Sequence, residues 1–149
     1  MSDREDNLFQ TAFPGIGGFR FDKKVAQVFP DMIRRSVPGY GHVVGSSALI
    51  ARRYAQPNTV IYDLGCSLGA TTLAMADQVT TPGCRIVAVD SSKAMLAQAQ
   101  SIVFDPLVSP LPIEWVHGDV STMAFEPCSV VALNFTLQFI ERDKREQLL

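Results

Sequence analysis

The chain has 149 residues, of which 47% are hydrophobic and 19% charged, and its formal net charge is −2. This is the composition of one ordinary globular domain. Proteins that bind the phosphates of nucleic acid usually carry an excess of Lys and Arg. The negative net charge of this chain therefore argues against direct RNA or DNA binding and favours a small-molecule ligand. The three cysteines lack metal-ligand spacing, which predicts reduced thiols, no metal site and a cytoplasmic location. Residues 1–7 do not resemble a signal peptide, and no apolar run reaches the roughly 20 residues of a membrane helix.

Residues 1–58 are predicted to form an irregular and helical segment of the same domain as the rest of the chain. Pro14 and the glycines within 15–18 predict irregular backbone over about the first 20 residues. Pro30 is expected to separate two short helices, and Tyr40 is expected in a loop before a third helix. The three predicted helices are 22–28, 31–36 and 42–54.

Residues 59–149 alternate between short β-branched runs and helical segments. The predicted strands are 59–64, 85–89, 113–117 and 130–135. The predicted helices are 70–79 and 93–103, and another helix begins within 141–149. This alternation predicts an α/β fold, a Rossmann-like doubly wound sheet that is mostly parallel with right-handed crossovers. Such sheets bind ligands at the carboxyl ends of their strands, so the residues just after each strand are the candidates for function.

The turn after the first predicted strand contains Gly65 and Gly69. Glycine lets the backbone approach a ligand closely and leaves the N-terminus of the next helix facing it. A dinucleotide fingerprint would place its second glycine where this chain has Ser67, which weakens the interpretation as a nicotinamide-dependent enzyme. Cys66 is either a reactive thiol near a helix N-terminus or only a small side chain that fits the turn.

Polar residues also follow the other predicted strands. Asp90 can accept hydrogen bonds from both hydroxyls of a ribose, or it can cap the next helix beside Ser91. Its sequence distance from the glycine turn favours the ribose interpretation. Asp119 can accept a hydrogen bond from the amino group of an adenine or can serve only a turn. Asn134 can face the ligand or satisfy a loop backbone, because a free amide in an apolar run needs partners.

The segments YDLGCSLGATT, VAVDSS, HGDV and LNFTLQFIE resemble the successive motifs of class I S-adenosylmethionine-dependent methyltransferases. With the preceding segment FDKKVAQVFPDMIRRSVPGY, nearly the whole chain resembles the carboxy-S-adenosyl-L-methionine synthase family. The resemblance implies an enzyme that uses prephenate to carboxylate the methyl group of S-adenosylmethionine and releases phenylpyruvate, with carbon dioxide captured by a sulfonium ylide. It also implies a homodimer whose product serves a partner enzyme that modifies the wobble uridine of bacterial tRNA.

The same resemblance implies which residues bind S-adenosylmethionine or carboxy-S-adenosylmethionine. Asp90 would hold the ribose, and Asp119 with Val120 would hold the adenine. The full set implied for the nucleoside and sulfonium pocket is Tyr40, Gly65, Cys66, Ser67, Asp90, Ser91, Asp119, Val120 and Asn134.

Members of that family continue past Leu149 with the remaining strands of the sheet and an arginine that pairs with the ligand's new carboxylate. We therefore expect a sheet that lacks its C-terminal strands and whose last strand leaves Val130, Val131 and Leu133 poorly covered. No catalytic residue is assigned. Two other functions stay open: an ordinary methyltransferase that acts on a small molecule, and a non-catalytic protein that only binds S-adenosylmethionine.

Overall fold

Four parallel strands form the centre of the structure, a computed structural model that describes residues 21–103 and 111–149. The strands are β1 (Val60–Leu64), β2 (Arg85–Asp90), β3 (Ile113–His117) and β4 (Cys128–Ala132). Their order across the sheet is β3-β2-β1-β4, and each neighbouring pair is parallel. The chain moves outward from β1 to β3 and then returns to the other side of β1. The switch point of the sheet therefore lies between the carboxyl ends of β1 and β4, and the predicted Rossmann-like α/β fold is confirmed.

Helices accompany the sheet along the described part of the chain. They are α1 (Lys23–Ser36), α2 (Tyr40–Tyr54), α3 (Ala70–Gln78), α4 (Lys93–Val103) and α5 (Arg142–Leu148). A short 3₁₀ helix, Leu137–Phe139, precedes α5. No helix in residues 21–103 or 111–149 is both long and apolar enough to cross a bilayer. The irregular backbone predicted for the first 20 residues lies outside the described residues.

The predicted break at Pro30 is wrong, because α1 continues through this residue. A proline inside a helix removes the hydrogen bond that its N–H would make one turn back, at a cost of about 3 kcal/mol or more. Phe29 on one side of Pro30 and Ile33 on the other pack into the same apolar cluster, which also contains Leu68 and Met95. Burying several side chains of this size contributes about 1.5–3 kcal/mol each, which outweighs the lost bond.

The two faces of the sheet pack against different parts of the chain. All five residues of β1 are buried, as expected for a central parallel strand that is covered on both sides. Because side chains alternate along a strand, Ile61 points to the face where it packs with Met75 of α3. Tyr62 points to the opposite face, where Val120 and Ile140 pack. Helices cover the first face, and the segments that follow β3 and β4 cover the second.

The fourth strand differs from the one predicted over residues 130–135. It begins two residues before the predicted start and ends three residues before the predicted end. Residues 134–136 form a turn instead of extended strand, and within it Phe135 has a φ of +55°, in the left-handed region. The hydroxyl of Thr136 then donates to the carbonyl of Leu64 at 2.7 Å and holds the chain in a turn. This turn places the residues after β4 at the carboxyl end of β1.

In the described residues β4 pairs only with β1 and forms one edge of the sheet. Val131 is 46% exposed there, as expected for a strand with little cover. Val130 and Leu133 are better covered than predicted, because each is partly buried against one of the two apolar clusters that flank the sheet.

Candidate ligand-binding site

A cavity of about 600 Å³ lies at the carboxyl ends of the strands. The topology of the sheet predicts a ligand site at this position. Residues that follow each of the four strands contribute to the cavity, together with α1 and the first residue of α2. All nine residues implied by the sequence line it: Tyr40, Gly65, Cys66, Ser67, Asp90, Ser91, Asp119, Val120 and Asn134. The structure therefore brings this set together, and the role of each residue toward a ligand stays a prediction.

The turn after β1 is fixed by close packing. The backbone N–H of Gly65 donates to the carbonyl of Val89 at 2.8 Å. Gly65 has a φ of +81°, and a Cβ at this position would collide with the side chain of Thr136. Gly69 also has a φ of +81°, and a Cβ there would lie 2.5 Å from Cη2 of Trp115. Both glycines are thus required by the backbone and by their neighbours, in addition to any approach of a ligand.

The carboxylate of Asp90 forms hydrogen bonds to the segments that follow β1 and β2. Its Oδ2 accepts a hydrogen bond from the backbone N–H of Ser67, and its Oδ1 accepts one from the backbone N–H of Ser92, both at 2.8 Å. The helix cap is Ser92, whose hydroxyl accepts from the backbone N–H of Met95 at 3.2 Å. A carboxylate oxygen has two lone pairs, so each oxygen of Asp90 keeps one acceptor position for a ligand. This arrangement suits two neighbouring hydroxyls, such as those of a ribose.

Asp119 lies in the turn after β3. Its Oδ1 accepts hydrogen bonds from the hydroxyl of Ser121 at 2.6 Å and from the backbone N–H of Ser121 at 2.9 Å. These bonds, with a smaller contribution from Lys144, hold the pKa of Asp119 below its ordinary value. The turn interpretation and the ligand interpretation are compatible, because Oδ1 holds the turn while Oδ2 can accept from an amino group.

Asp63, near the end of β1, is a buried carboxyl that the sequence motif contains but does not distinguish as a site residue. It is only 2% exposed, and its Oδ2 accepts from the hydroxyl of Thr72 at 2.6 Å. Burial raises the pKa of Asp63 to about 6; the hydrogen bonds from Thr72 oppose this rise, and the charge of Asp90 adds to it. A cationic ligand in the cavity would favour the carboxylate form of Asp63.

The thiol of Cys66 is unsuited to nucleophilic chemistry. Burial raises the pKa of Cys66, and the carboxylates of Asp63 and Asp90 raise it further. The thiolate is the reactive form of cysteine, and this environment suppresses it at neutral pH. Of the two interpretations from the sequence, the structure favours the small side chain that fits the turn.

Asn134 connects the residues after β4 to two helices. Its Nδ2 donates to the hydroxyl of Ser47 in α2 at 2.9 Å and to the hydroxyl of Thr71 in α3 at 3.2 Å. The nitrogen of this amide therefore satisfies side chains rather than a loop backbone. Because Asn134 lines the cavity, these bonds also fix that edge of the site.

The prediction that Tyr40 lies in a loop is wrong, since it is the first residue of α2. The helix starts here because Gly39 adopts a φ of +77°, which ends the preceding turn. The ring of Tyr40 lies against the ring of Phe135, with centroids 6.1 Å apart and planes inclined by 37°. Burial raises the pKa of Tyr40, and the charge of Asp63 raises it further.

Several lining residues could not be found from strand-end motifs. They come from α1 or from the turn after β4, and their contact with the cavity depends on how distant segments pack. Examples are Phe29, Met32, Ile33, Phe135 and Thr136.

Comparison with known proteins identifies relatives of this chain. Residues 61–149 match a family model described as a methyltransferase domain. A carboxy-S-adenosyl-L-methionine synthase of Klebsiella pneumoniae (strain 342) is 46% identical over all 149 residues. The corresponding synthase of Pseudomonas syringae pv. tomato is 46% identical over 155 aligned positions. The chain spans only 60% and 62% of the lengths of these two relatives. The resemblance seen in the motifs is confirmed.

Among solved structures, a Methanococcus maripaludis protein assigned to the S-adenosylmethionine-dependent methyltransferases has a TM-score of 0.65 with this chain. The match covers 91% of this chain and 61% of the other, at 22% sequence identity. At this identity the likeness shows the fold alone.

Proposed function

Because this chain belongs to the methyltransferase-domain family, we propose that its strand-end cavity binds S-adenosylmethionine and that the protein acts as a carboxy-S-adenosyl-L-methionine synthase. The observation that carries the proposal is the order of carboxyl groups along the cavity. Asp119 follows β3, Asp90 ends β2 and Asp63 is the residue before the last of β1, and these are three neighbouring strands of one sheet.

This order fits the parts of S-adenosylmethionine. The adenine lies at the end of β3, where Asp119 accepts a hydrogen bond from its amino group beside Val120. The ribose lies at the end of β2, where the two oxygens of Asp90 accept from its hydroxyls. The sulfonium and the amino acid part then extend toward β1 and β4, where the buried carboxyl of Asp63 favours positive charge. Tyr40 and Asn134 border this end of the cavity.

The specific reaction is carboxylation of the sulfonium methyl group by prephenate. Prephenate loses carbon dioxide and a hydroxide ion to become phenylpyruvate. The hydroxide takes a proton from the methyl group and becomes water, and the resulting ylide carbon forms a bond to the carbon dioxide. Support for this reaction comes from the full-chain identity of 46% to carboxy-S-adenosyl-L-methionine synthases. No residue of the described chain is assigned a proton transfer in it.

The proposed activity can be tested by mass spectrometry. The purified protein is incubated with S-adenosylmethionine and prephenate, and we expect carboxy-S-adenosylmethionine and phenylpyruvate in equal amounts. Prephenate labelled with ¹³C in its ring carboxyl group should transfer the label to the cofactor product. Asp90→Ala, which removes the proposed ribose contact, is the variant expected to form less product when S-adenosylmethionine is limiting.

A methyltransferase that acts on a small molecule is the second candidate, and the family model matched by residues 61–149 favours it. The same experiment distinguishes the two. Formation of S-adenosylhomocysteine with a methylated acceptor, and no carboxylated cofactor, would contradict the synthase and support the methyltransferase. Binding of S-adenosylmethionine without either product would identify a cofactor-binding protein.

The proposal extends to the protein's surroundings. We propose a cytoplasmic homodimer whose product is used by a separate enzyme that modifies tRNA wobble uridine. The net charge of −2 supports a division of labour in which this protein does not itself bind tRNA. Light scattering after size-exclusion chromatography tests the dimer, and a monomer at micromolar concentration would contradict it.

A further inference from the structure

Two aromatic rings lie at the β4 end of the cavity, and the sequence motifs assign a role to only one of them. Tyr40 and Phe135 both line the cavity, and their ring centroids are 6.1 Å apart. Phe135 is 38% exposed and does not belong to the clusters that form the apolar core. Core packing therefore does not explain its position.

The backbone of Phe135 is held in an uncommon conformation. Its φ of +55° lies in the left-handed region, which is unfavourable for a bulky aromatic residue. The residues on both sides of Phe135 are held in place by hydrogen bonds. Before it, the side-chain amide of Asn134 donates to the hydroxyls of Ser47 and Thr71. After it, the hydroxyl of Thr136 donates to the carbonyl of Leu64. Such strain persists where neighbouring bonds over-determine it, and it is concentrated at binding sites.

The charges at this end of the cavity favour a cation. Asp63 and Tyr40 both line the cavity, where burial and then the charge of Asp63 raise the pKa of Tyr40. Aromatic faces attract cations, most strongly where water is excluded. If adenine and ribose occupy the ends of β3 and β2, the positive sulfur of the ligand comes to lie beside β1 and β4, next to these rings.

We propose that Phe135, together with Tyr40, contacts the sulfonium centre of the ligand and favours binding of the charged S-adenosylmethionine over the neutral thioether S-adenosylhomocysteine. This inference rests on the proposed function, because it needs the nucleoside bound at β2 and β3. It makes Phe135 a specificity-determining residue of the site.

The test compares two ligands that share the nucleoside and differ at sulfur. Titration calorimetry gives the affinities for S-adenosylmethionine and S-adenosylhomocysteine in the wild type and in Phe135→Leu. We expect Phe135→Leu to weaken the binding of S-adenosylmethionine by about threefold to thirtyfold, the range of a cation–π contact, and to change that of S-adenosylhomocysteine by less than about twofold. Phe135→Tyr keeps an aromatic face and should restore the preference for the sulfonium.

Phe125→Leu is the matched control. Phe125 is 39% exposed and packs edge-on against Tyr62, with centroids 5.3 Å apart, outside the residues that line the cavity. Phe135→Gly removes the ring and also fits the left-handed backbone, so it serves as a second variant if leucine prevents folding.

Each outcome has a separate meaning. Equal weakening of both ligands by Phe135→Leu would overturn the sulfonium contact, and so would unchanged affinity for both. If the folded wild type binds neither ligand, the proposed function itself fails.

Discussion

Replacement of Asp63 by asparagine should remove a pH-dependent part of the protein's stability. Burial raises the pKa of Asp63 to about 6 in the folded protein, whereas the pKa of an aspartate in an unfolded chain is about 3.9. The folded protein therefore keeps a proton that the unfolded chain releases between about pH 4 and about pH 6. Because the folded state binds more protons in this window, the free energy of unfolding falls as the pH rises through it. The total loss is about 3 kcal/mol, complete above about pH 6 and absent below about pH 4.

Urea denaturation of the wild type and Asp63→Asn from about pH 4 to about pH 8 measures this effect. Asparagine does not ionise, so the stability of the variant relative to the wild type should rise by about 3 kcal/mol across the range. Asp77→Asn removes an exposed carboxylate of α3 and reports the general effect of losing one negative charge. Parallel curves for the wild type and Asp63→Asn would show that Asp63 titrates alike in the folded and unfolded states, contrary to this prediction.

Two further predictions concern the glycine turn and the cysteines. Gly69→Ala should lower the free energy of unfolding by about 2–4 kcal/mol, because alanine adopts a φ of +81° poorly and its methyl group would overlap Trp115. A loss below about 1 kcal/mol, measured by chemical denaturation, would contradict this prediction. Iodoacetamide should label exposed Cys128 in the native protein and label the buried Cys66 and Cys84 only after denaturation. Peptide mass spectrometry reads the labelled sites, and rapid labelling of native Cys66 would show that its thiol is accessible.

The central strands could be predicted from the sequence because their signal is local. Residues 60–64 form a continuous apolar run with one carboxyl, which is typical of a strand covered on both faces. The observed limits of β3 and α4 equal the predicted ones, because an apolar pattern and neighbouring prolines or serines mark where these elements begin and end. Polar residues after such strands must meet at one edge of a parallel sheet, which is why Asp90 and Asp119 could be placed in one site.

Other features depend on contacts between distant segments and left no local signal. The helix through Pro30 persists because Leu68 and Met95 pack against it. The turn after β4 includes Phe135 with a positive φ, a conformation that its sequence neighbours do not indicate. The raised pKa of Asp63 follows from burial beneath helices that the motif does not describe.

Titration calorimetry with S-adenosylmethionine measures whether the strand-end cavity is a nucleoside-binding site. We expect saturable binding of one ligand per chain. Asp90→Ala should weaken this binding by about 1–3 kcal/mol, as expected for the loss of a charged hydrogen-bond acceptor, while circular dichroism shows the variant folded. Absence of saturable binding by folded wild-type protein would show that the cavity is not a nucleoside site, and equal affinity in the wild type and Asp90→Ala would show that Asp90 does not hold the ribose.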